Sequence, residues 1–188
     1  VYRRGIALPV KPTKFNQFIY SELVSHFIFN SLETRKQFFK NLDEDKIKGK
    51  KYQIYNGLEV KDYRQKSKEN ERTIIGNASR LTDQKGIEYL IELAKKLKEN
   101  SVNAEIRVAG KGELQGKFEQ EISKNQLQNY FKLVGFYEDV HDFLSEIDIY
   151  ICSSKFEGFG FSIAEAMLHR LPVIGFDISS NPEIIDNN

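Results

Sequence analysis

Residues 155–174 read KFEGFGFSIAEAMLHRLPVI. Two glutamates, Glu157 and Glu165, stand eight positions apart, and the first adjoins a glycine turn, Gly158-Phe159-Gly160. The run before it, IDIYIC at 147–152, predicts a buried strand, and the spacing predicts a helix over 162–169. The leading amides of a helix have no partner within it, and the helix dipole places partial positive charge there. Glycines let backbone approach a phosphate or a sugar ring. Carboxylates beside such a turn accept hydrogen bonds from hydroxyls. A strand, a glycine turn and a helix start carrying carboxylates therefore point to a phosphorylated, hydroxyl-rich ligand. Ser162-Ile163-Ala164-Glu165 also fits a capping box, in which Glu165 would only tie off its own helix. The spacing leaves both readings open.

Outward from this stretch, strand-like and helix-like segments alternate. Strands are predicted at 26–30, 52–55, 73–78, 104–109, 130–134 and 172–176. Helices are predicted at 32–42 with Ser31 as cap, at 86–99, at 113–124 and at 140–145. Ile87, Leu90, Ile91, Ala94 and Leu97 fall on one helical face. Residues 61–72 are nearly all polar and read as a linker. Repeated β-α units with short loops imply an α/β fold, a Rossmann-like parallel sheet with helices on both faces, preceded by a partial second α/β domain. The division falls as 1–66 and 67–188. Ligands of such sheets bind beyond the carboxyl ends of the strands. The unusual residues collect there, at 77–85, 110–112, 135–137 and 153–161.

The chain has 188 residues, of which 40% are hydrophobic and 29% charged, with a net charge of +1. That balance gives no global field drawing it to nucleic acid. No run of about 18 apolar residues predicts a membrane span, and the start does not read as a signal peptide. Arg3, Arg4, Lys11 and Lys14 give the first fourteen residues a basic bias without an acid. The bias suits either a solvated surface or an anionic membrane or acceptor. Cys152 is the single cysteine, so no internal disulfide forms, in keeping with a reducing cytoplasm. At the end of an apolar strand it reads as a small buried hydrophobe. His26, His141 and His169 are far apart in sequence and lack metal-ligand spacing.

A second constellation follows the strand at 73–78. Arg80 and Lys85 are five apart on a loop entering a helix. A guanidinium fork and a mobile ammonium there suit a diphosphate. The competing reading is a pair of solvated loop charges, or Arg80 paired with Asp83. Asp43-Glu44-Asp45 has an acid-x-acid pattern but sits in a polar, lysine-rich loop and reads as solvated. Gly110-Lys111-Gly112 opens a glycine pattern, yet Gln115 stands where a dinucleotide fingerprint needs glycine, so it reads as a turn or pocket rim.

Taken in order, Arg80-Leu81 with Lys85-Gly86, Val108-Ala109-Gly110-Lys111-Gly112, Leu133-Val134-Gly135-Phe136, Glu157-Gly158-Phe159-Gly160, Glu165-Ala166 and Pro172-Val173-Ile174 resemble the nucleotide-sugar-dependent glycosyltransferases of family 4 (group 1). The resemblance covers about residues 73–186 and includes the GT-B fold. Residues 27–63 are similar, more weakly, to the end of that family's amino-terminal domain.

The resemblance implies roles. Arg80 and Lys85 correspond to the pair that holds the donor diphosphate, Glu165 to the residue that binds ribose, and Glu157 to the one near the reacting centre. Amides of Gly158, Phe159, Gly160 and Phe161 would hold sugar hydroxyls and the distal phosphate, with Gly135 and Phe136 beside the base. It further implies a retaining hexosyl transfer to a glycan or lipid-linked acceptor in cell-surface polysaccharide or lipopolysaccharide synthesis. No cofactor and no metal are expected. The expected location is cytoplasmic, with peripheral contact to the inner membrane face through the basic start.

Three departures accompany the resemblance. Arg170 stands where the family carries glycine, so the helix end is expected to take another form. Against the family pattern, most of the acceptor-side domain and the terminal helix that crosses back are expected to lie outside these 188 residues. The chain alone is therefore expected to bind donor weakly and to catalyse little or nothing. Two alternatives share the cleft: a GT-B-like nucleotide-sugar epimerase and a non-catalytic nucleotide-sugar binding module. A phosphate-loop kinase or hydrolase lacks its motif here.

Overall fold

A computed structural model describes residues 1–5, 8–60, 63 and 72–185. Most of the expected linker at 61–72 lies outside the described residues. The chain forms two compact units. The first comprises Val1–Leu58, Phe156–Gly160 and Asp177–Asn188; the second comprises Glu59–Lys155 and Phe161–Phe176.

The first unit holds a three-stranded parallel sheet in the order β1 (Tyr2–Arg4), β2 (His26–Phe29), β3 (Lys50–Gln53). Helix α1 (Lys14–Phe18) starts at Thr13, whose side chain accepts from the Asn16 amide, and runs on as a π-helical turn, Ile19–Leu23. Helix α2 (Leu32–Phe39) starts as expected at Ser31, whose hydroxyl accepts from the Thr34 amide at 2.9 Å. Phe27 and Phe29 alternate inward from β2 and meet Phe38 and Phe39 of α2, with Val10, Leu42 and Ile47 closing an aromatic core. Strand β3 begins two residues before the expected 52. Its register is set by β2, and the Lys50 amide bonds Ser25 O while His26 pairs with Lys50. Ladder geometry overrode the apolar content of 52–55.

The second unit is a five-stranded parallel sheet of β4 (Thr73–Ala78), β5 (Ala104–Ala109), β6 (Phe131–Gly135), β7 (Ile149–Cys152) and β8 (Val173–Gly175). The order is β6-β5-β4-β7-β8. The chain walks outward from β4 to β6, then returns to place β7 on the other side of β4. That reversal is the topological switch point, where sheets of this kind open a crevice.

Ala104, Ile106 and Val108 of β5 share a core with Ile87, Leu90, Ile91 and Ala94 of α3 (Ile87–Glu99) and with Phe118 and Ile122 of α4 (Gln115–Lys124). Each fully buried Leu or Ile there is worth roughly 1.5–3 kcal/mol. Helix α5 (Val140–Leu144) packs on β4, and α6 (Phe161–Leu168) on β7 and β8.

Helix α2 ends at Phe39 rather than at 42, and two further elements, β7 and α4, start two residues later than expected. Strand β7 begins at Ile149 because its ladder with β4 starts there, opposite Ile75, while Ile147 packs on Gly76, where a Cβ would lie 2.3 Å from Ile147 Cδ1. Helix α4 begins at Gln115 because the Leu114 amide is tied to Leu81 O at 3.1 Å.

Candidate donor-binding site

Arg80 sits just past the carboxyl end of β4, exposed, and its guanidinium has no ion pair or hydrogen bond among the described residues. Its loop is fixed by close backbone contact. A Cβ on Gly110 would stand 1.9 Å from Ser79 O, and one on Gly112 2.4 Å from Leu81 O. The Leu81 amide bonds Lys111 O at 3.0 Å. Gly110-Lys111-Gly112 is thus a rim on which the Arg80 loop rests, which explains two glycines in a motif that fails as a dinucleotide fingerprint. Gly110 has φ +146° and Gly135 φ +81°, and the Gly110 amide bonds Gly135 O at 2.7 Å. The loops after β4, β5 and β6 are thereby laced together.

These loops surround a cavity of about 390 Å³ lined by Ala78, Arg80, Gly110, Lys111, Phe136 and Tyr137, among others. Phe136 is 63% exposed, and the Lys111 ammonium lies 5.9 Å from its ring centroid. An exposed aromatic ring with a cation over one face, in a cavity that Arg80 also lines, can accept a stacked ring on its other face and an anion together.

Lys85 ends a 3-10 turn, Asp83–Lys85, ahead of α3. Its carbonyl accepts from Ser153 Oγ at 2.8 Å, and Gly86, at φ +61°, passes so close to Ser153 O that a Cβ would stand 2.2 Å away. The expected competitor for Arg80 is engaged elsewhere: Asp83 pairs with Lys155 at 2.7 Å.

Glu165 lies one turn into α6 and is half-buried. Helix α6 begins at Phe161, which puts Ser162 inside the first turn. Neither the Ser162 hydroxyl nor the Glu165 carboxylate makes a hydrogen bond among the described residues, so the capping-box reading does not hold. Burial raises the Glu165 pKa; His141 opposes that shift and Asp139 adds to it. A half-buried carboxylate without a hydrogen-bond partner is suited to receive hydroxyl donors.

Glu157, Gly158, Phe159 and Gly160 belong to the first unit, whereas Arg80, Lys85, Gly135, Phe136, Phe161 and Glu165 belong to the second. Within the first unit the Glu157 backbone is clamped on both sides. Its amide donates to Ser179 Oγ at 3.0 Å, and its carbonyl accepts from Ser179 Oγ at 2.6 Å. Ser179 adopts φ +55° to do so. Gly158 O accepts from Thr34 Oγ1 at 3.0 Å, and Phe159 is buried 6.3 Å from the Tyr55 ring. The Glu183 carboxylate caps α2, taking the Leu32 and Glu33 amides at 2.8 and 2.9 Å and the Tyr55 hydroxyl at 2.9 Å.

Arg170 corrects an expectation. It adopts φ +57°, and the Leu171 amide reaches back to Ala166 O, so the end of α6 keeps the left-handed cap without a glycine. The two histidines that are distant in sequence meet: His141 Nδ1 lies 2.9 Å from His169 Nε2, with Tyr63 Oη 3.0 Å from His141 Nε2. Contacts across 28 and 78 residues leave no local signal. Desolvation lowers the His169 pKa. Among the described residues no cluster of three metal-ligating side chains occurs, and Asp43 of the acidic triplet pairs with Lys46 at 2.7 Å. Cys152 is buried, as expected.

A parallel α/β sheet with a crevice at its topological switch point defines the class of doubly wound α/β half-folds. The family described as glycosyl transferases group 1 matches residues 59–188, and the chain belongs to that family. It is 34% identical over 158 residues to an uncharacterized glycosyltransferase of Methanocaldococcus jannaschii, covering 84% of this chain and 37% of that protein. It is 32% identical over 120 residues to the amylovoran biosynthesis glycosyltransferase AmsK of Erwinia amylovora, covering 60% and 30%.

The crystal structure of Anabaena HepE in complex with UDP and glucose superposes with a TM-score of 0.84 at 21% identity, covering 99% of this chain and 55% of that one. That likeness establishes the GT-B type of fold. The chain spans about a third of the length of the curated relatives it matches.

Proposed function

We propose that this chain carries the donor side of a retaining glycosyltransferase that takes a nucleotide-diphosphate sugar and passes the sugar to a glycan or lipid-linked acceptor. The observation that carries the reading is the cavity beyond β4, β5 and β6, where Arg80, Lys111 and Phe136 line one wall system. An exposed aromatic ring suits a nucleobase, and a guanidinium without an ion pair among the described residues suits a diphosphate.

Glu165 takes the ribose hydroxyls, and Arg80 and Lys85 take the pyrophosphate. Amides of Gly158 to Phe161 hold the distal phosphate and sugar hydroxyls, with Glu157 near the reacting carbon. Breaking the sugar–phosphate bond leaves charge on the departing diphosphate. Fixed cations and helix amides aimed at it lower the barrier without a metal or other cofactor. The HepE complex with UDP and glucose and the amylovoran assignment of AmsK support a UDP-type donor and a polysaccharide product. No described helix is long and apolar enough to cross a membrane. A cytoplasmic site, with Arg3, Arg4, Lys11 and Lys14 against the inner membrane face, belongs to the same reading.

Turnover tests it. With a nucleotide-sugar donor, Glu157→Gln is expected to keep nucleotide affinity and lose sugar transfer. A protein that binds the nucleotide and shows no turnover before or after the change is a binding module, and the transferase reading falls.

A further inference from the structure

Lys155 lies in the loop after β7, two positions before Glu157, and three contacts fasten it to the loop after β4 and the start of α3. Its ammonium lies 2.7 Å from Asp83 Oδ1 and 2.8 Å from Glu88 Oε1, and its amide donates to Gln84 O at 2.8 Å. Asp83 and Gln84 directly precede Lys85 in the same 3-10 turn, and Glu88 opens α3 just after it. The partners of Lys155 therefore bracket Lys85 on both sides. Two further contacts join the same loops, from Ser153 Oγ to Lys85 O and from the Ser153 carbonyl against Gly86.

The rim at Gly110 to Gly112 fixes the start of the Arg80–Lys85 loop, and the β7 loop holds the turn at its end through Ser153 and Lys155. A cation carried on such a turn must be held in place to favour a diphosphate. Lys155 itself is spent on two carboxylates. It neutralises Asp83 in the turn and Glu88 in α3, which would otherwise repel an anionic ligand.

We propose that Lys155 is a positioning residue for the diphosphate site: it staples the β7 loop to Asp83 and Glu88, holds the Arg80–Lys85 loop in one conformation, and masks both carboxylates from an arriving diphosphate. The inference rests on the donor-site reading for its ligand and on geometry alone for its staple. The two carboxylates raise the Lys155 pKa, so the staple persists across neutral and mildly alkaline pH.

The test combines amide exchange with calorimetry on the full chain and its Lys155→Met and Lys155→Arg variants. Exchange at residues 82–86 is expected to quicken about three- to tenfold in Lys155→Met, the range of two partly exposed ion pairs, and to return most of the way in Lys155→Arg. Among UDP, GDP and ADP, whichever binds the unaltered chain is expected to bind Lys155→Met about three- to tenfold more weakly, with affinity for its nucleoside unchanged.

Unchanged exchange at 82–86 overturns the staple whatever the chain binds. Equal loss for diphosphate and nucleoside overturns the diphosphate role and leaves a general packing effect. Should no nucleoside diphosphate bind the unaltered chain, the donor-site reading fails by itself, the diphosphate role of Lys155 falls with it, and the exchange measurement still decides the staple.

Discussion

Glu165 is the residue on which local chemistry and the proposed ligand meet most closely. Its carboxylate is half-buried, makes no hydrogen bond among the described residues, and is pushed above the usual carboxylate range by burial. A ribose hydroxyl donating to the ionised form would restore the hydration it loses. Glu165→Ala is expected to weaken nucleoside diphosphate affinity by roughly 1–3 kcal/mol, read by calorimetry.

Its pH dependence follows in sign. The ionised form binds, so affinity should be full at pH values above the raised pKa and fall as the pH drops through it. Glu165→Gln should show no such step. A flat profile in the unaltered chain would remove the ribose assignment. Arg80 and Lys85 act on the other end of the ligand. Arg80→Ala and Lys85→Ala should each weaken diphosphate binding about tenfold or more, with nucleoside binding unchanged.

At the scale of elements, the end of α6 offers a stability test. Arg170 holds a left-handed conformation that costs a residue with a Cβ about 1–2 kcal/mol relative to glycine. Arg170→Gly is expected to stabilise the chain by about 1 kcal/mol in urea unfolding, and a loss of stability would contradict the cap geometry.

Element identity was largely legible in the amino-acid order. Strands β4 and β5 fall on the expected residues because apolar runs there end in turn residues and enter a fully paired sheet. What was hidden was set by tertiary contact: β3 takes its register from β2, α4 waits for Leu114 to satisfy Leu81, and α6 absorbs Ser162 into its first turn. Around the candidate site the motif residues stood out by type and spacing. Their supports did not. Lys155 meets Asp83 across 72 positions, Ser179 clamps Glu157 across 22, and His141 finds His169 across 28.

At the scale of the molecule, the near-neutral total conceals one buried charge cluster. Glu105 is 3% exposed, on the face of β5 opposite the apolar core, and its carboxylate meets Arg107 at 2.7 Å, Lys132 at 2.8 Å and Arg72 at 3.5 Å. Burial alone would raise its pKa, but the hydrogen bonds from Lys132 and Arg107 and their charges together lower it. A lowered folded-state pKa contributes stability that is present above the unfolded-state value and lost as the pH falls through the folded one. Glu105→Gln should therefore cost about 2–4 kcal/mol at neutral pH, from three cations left facing one another, and should blunt the acid loss of stability. Equal acid sensitivity in variant and parent would contradict that cluster.

The claim beneath all of this is that a nucleoside diphosphate binds beyond the carboxyl ends of the second unit's strands. An amide chemical-shift titration of the chain with UDP, GDP and ADP tests it most directly. The expected result is saturable shifts, for at least one of the three, at 79–86, 110–112, 135–137 and 161–165; shifts confined to other surfaces, or none with any of the three, would contradict it.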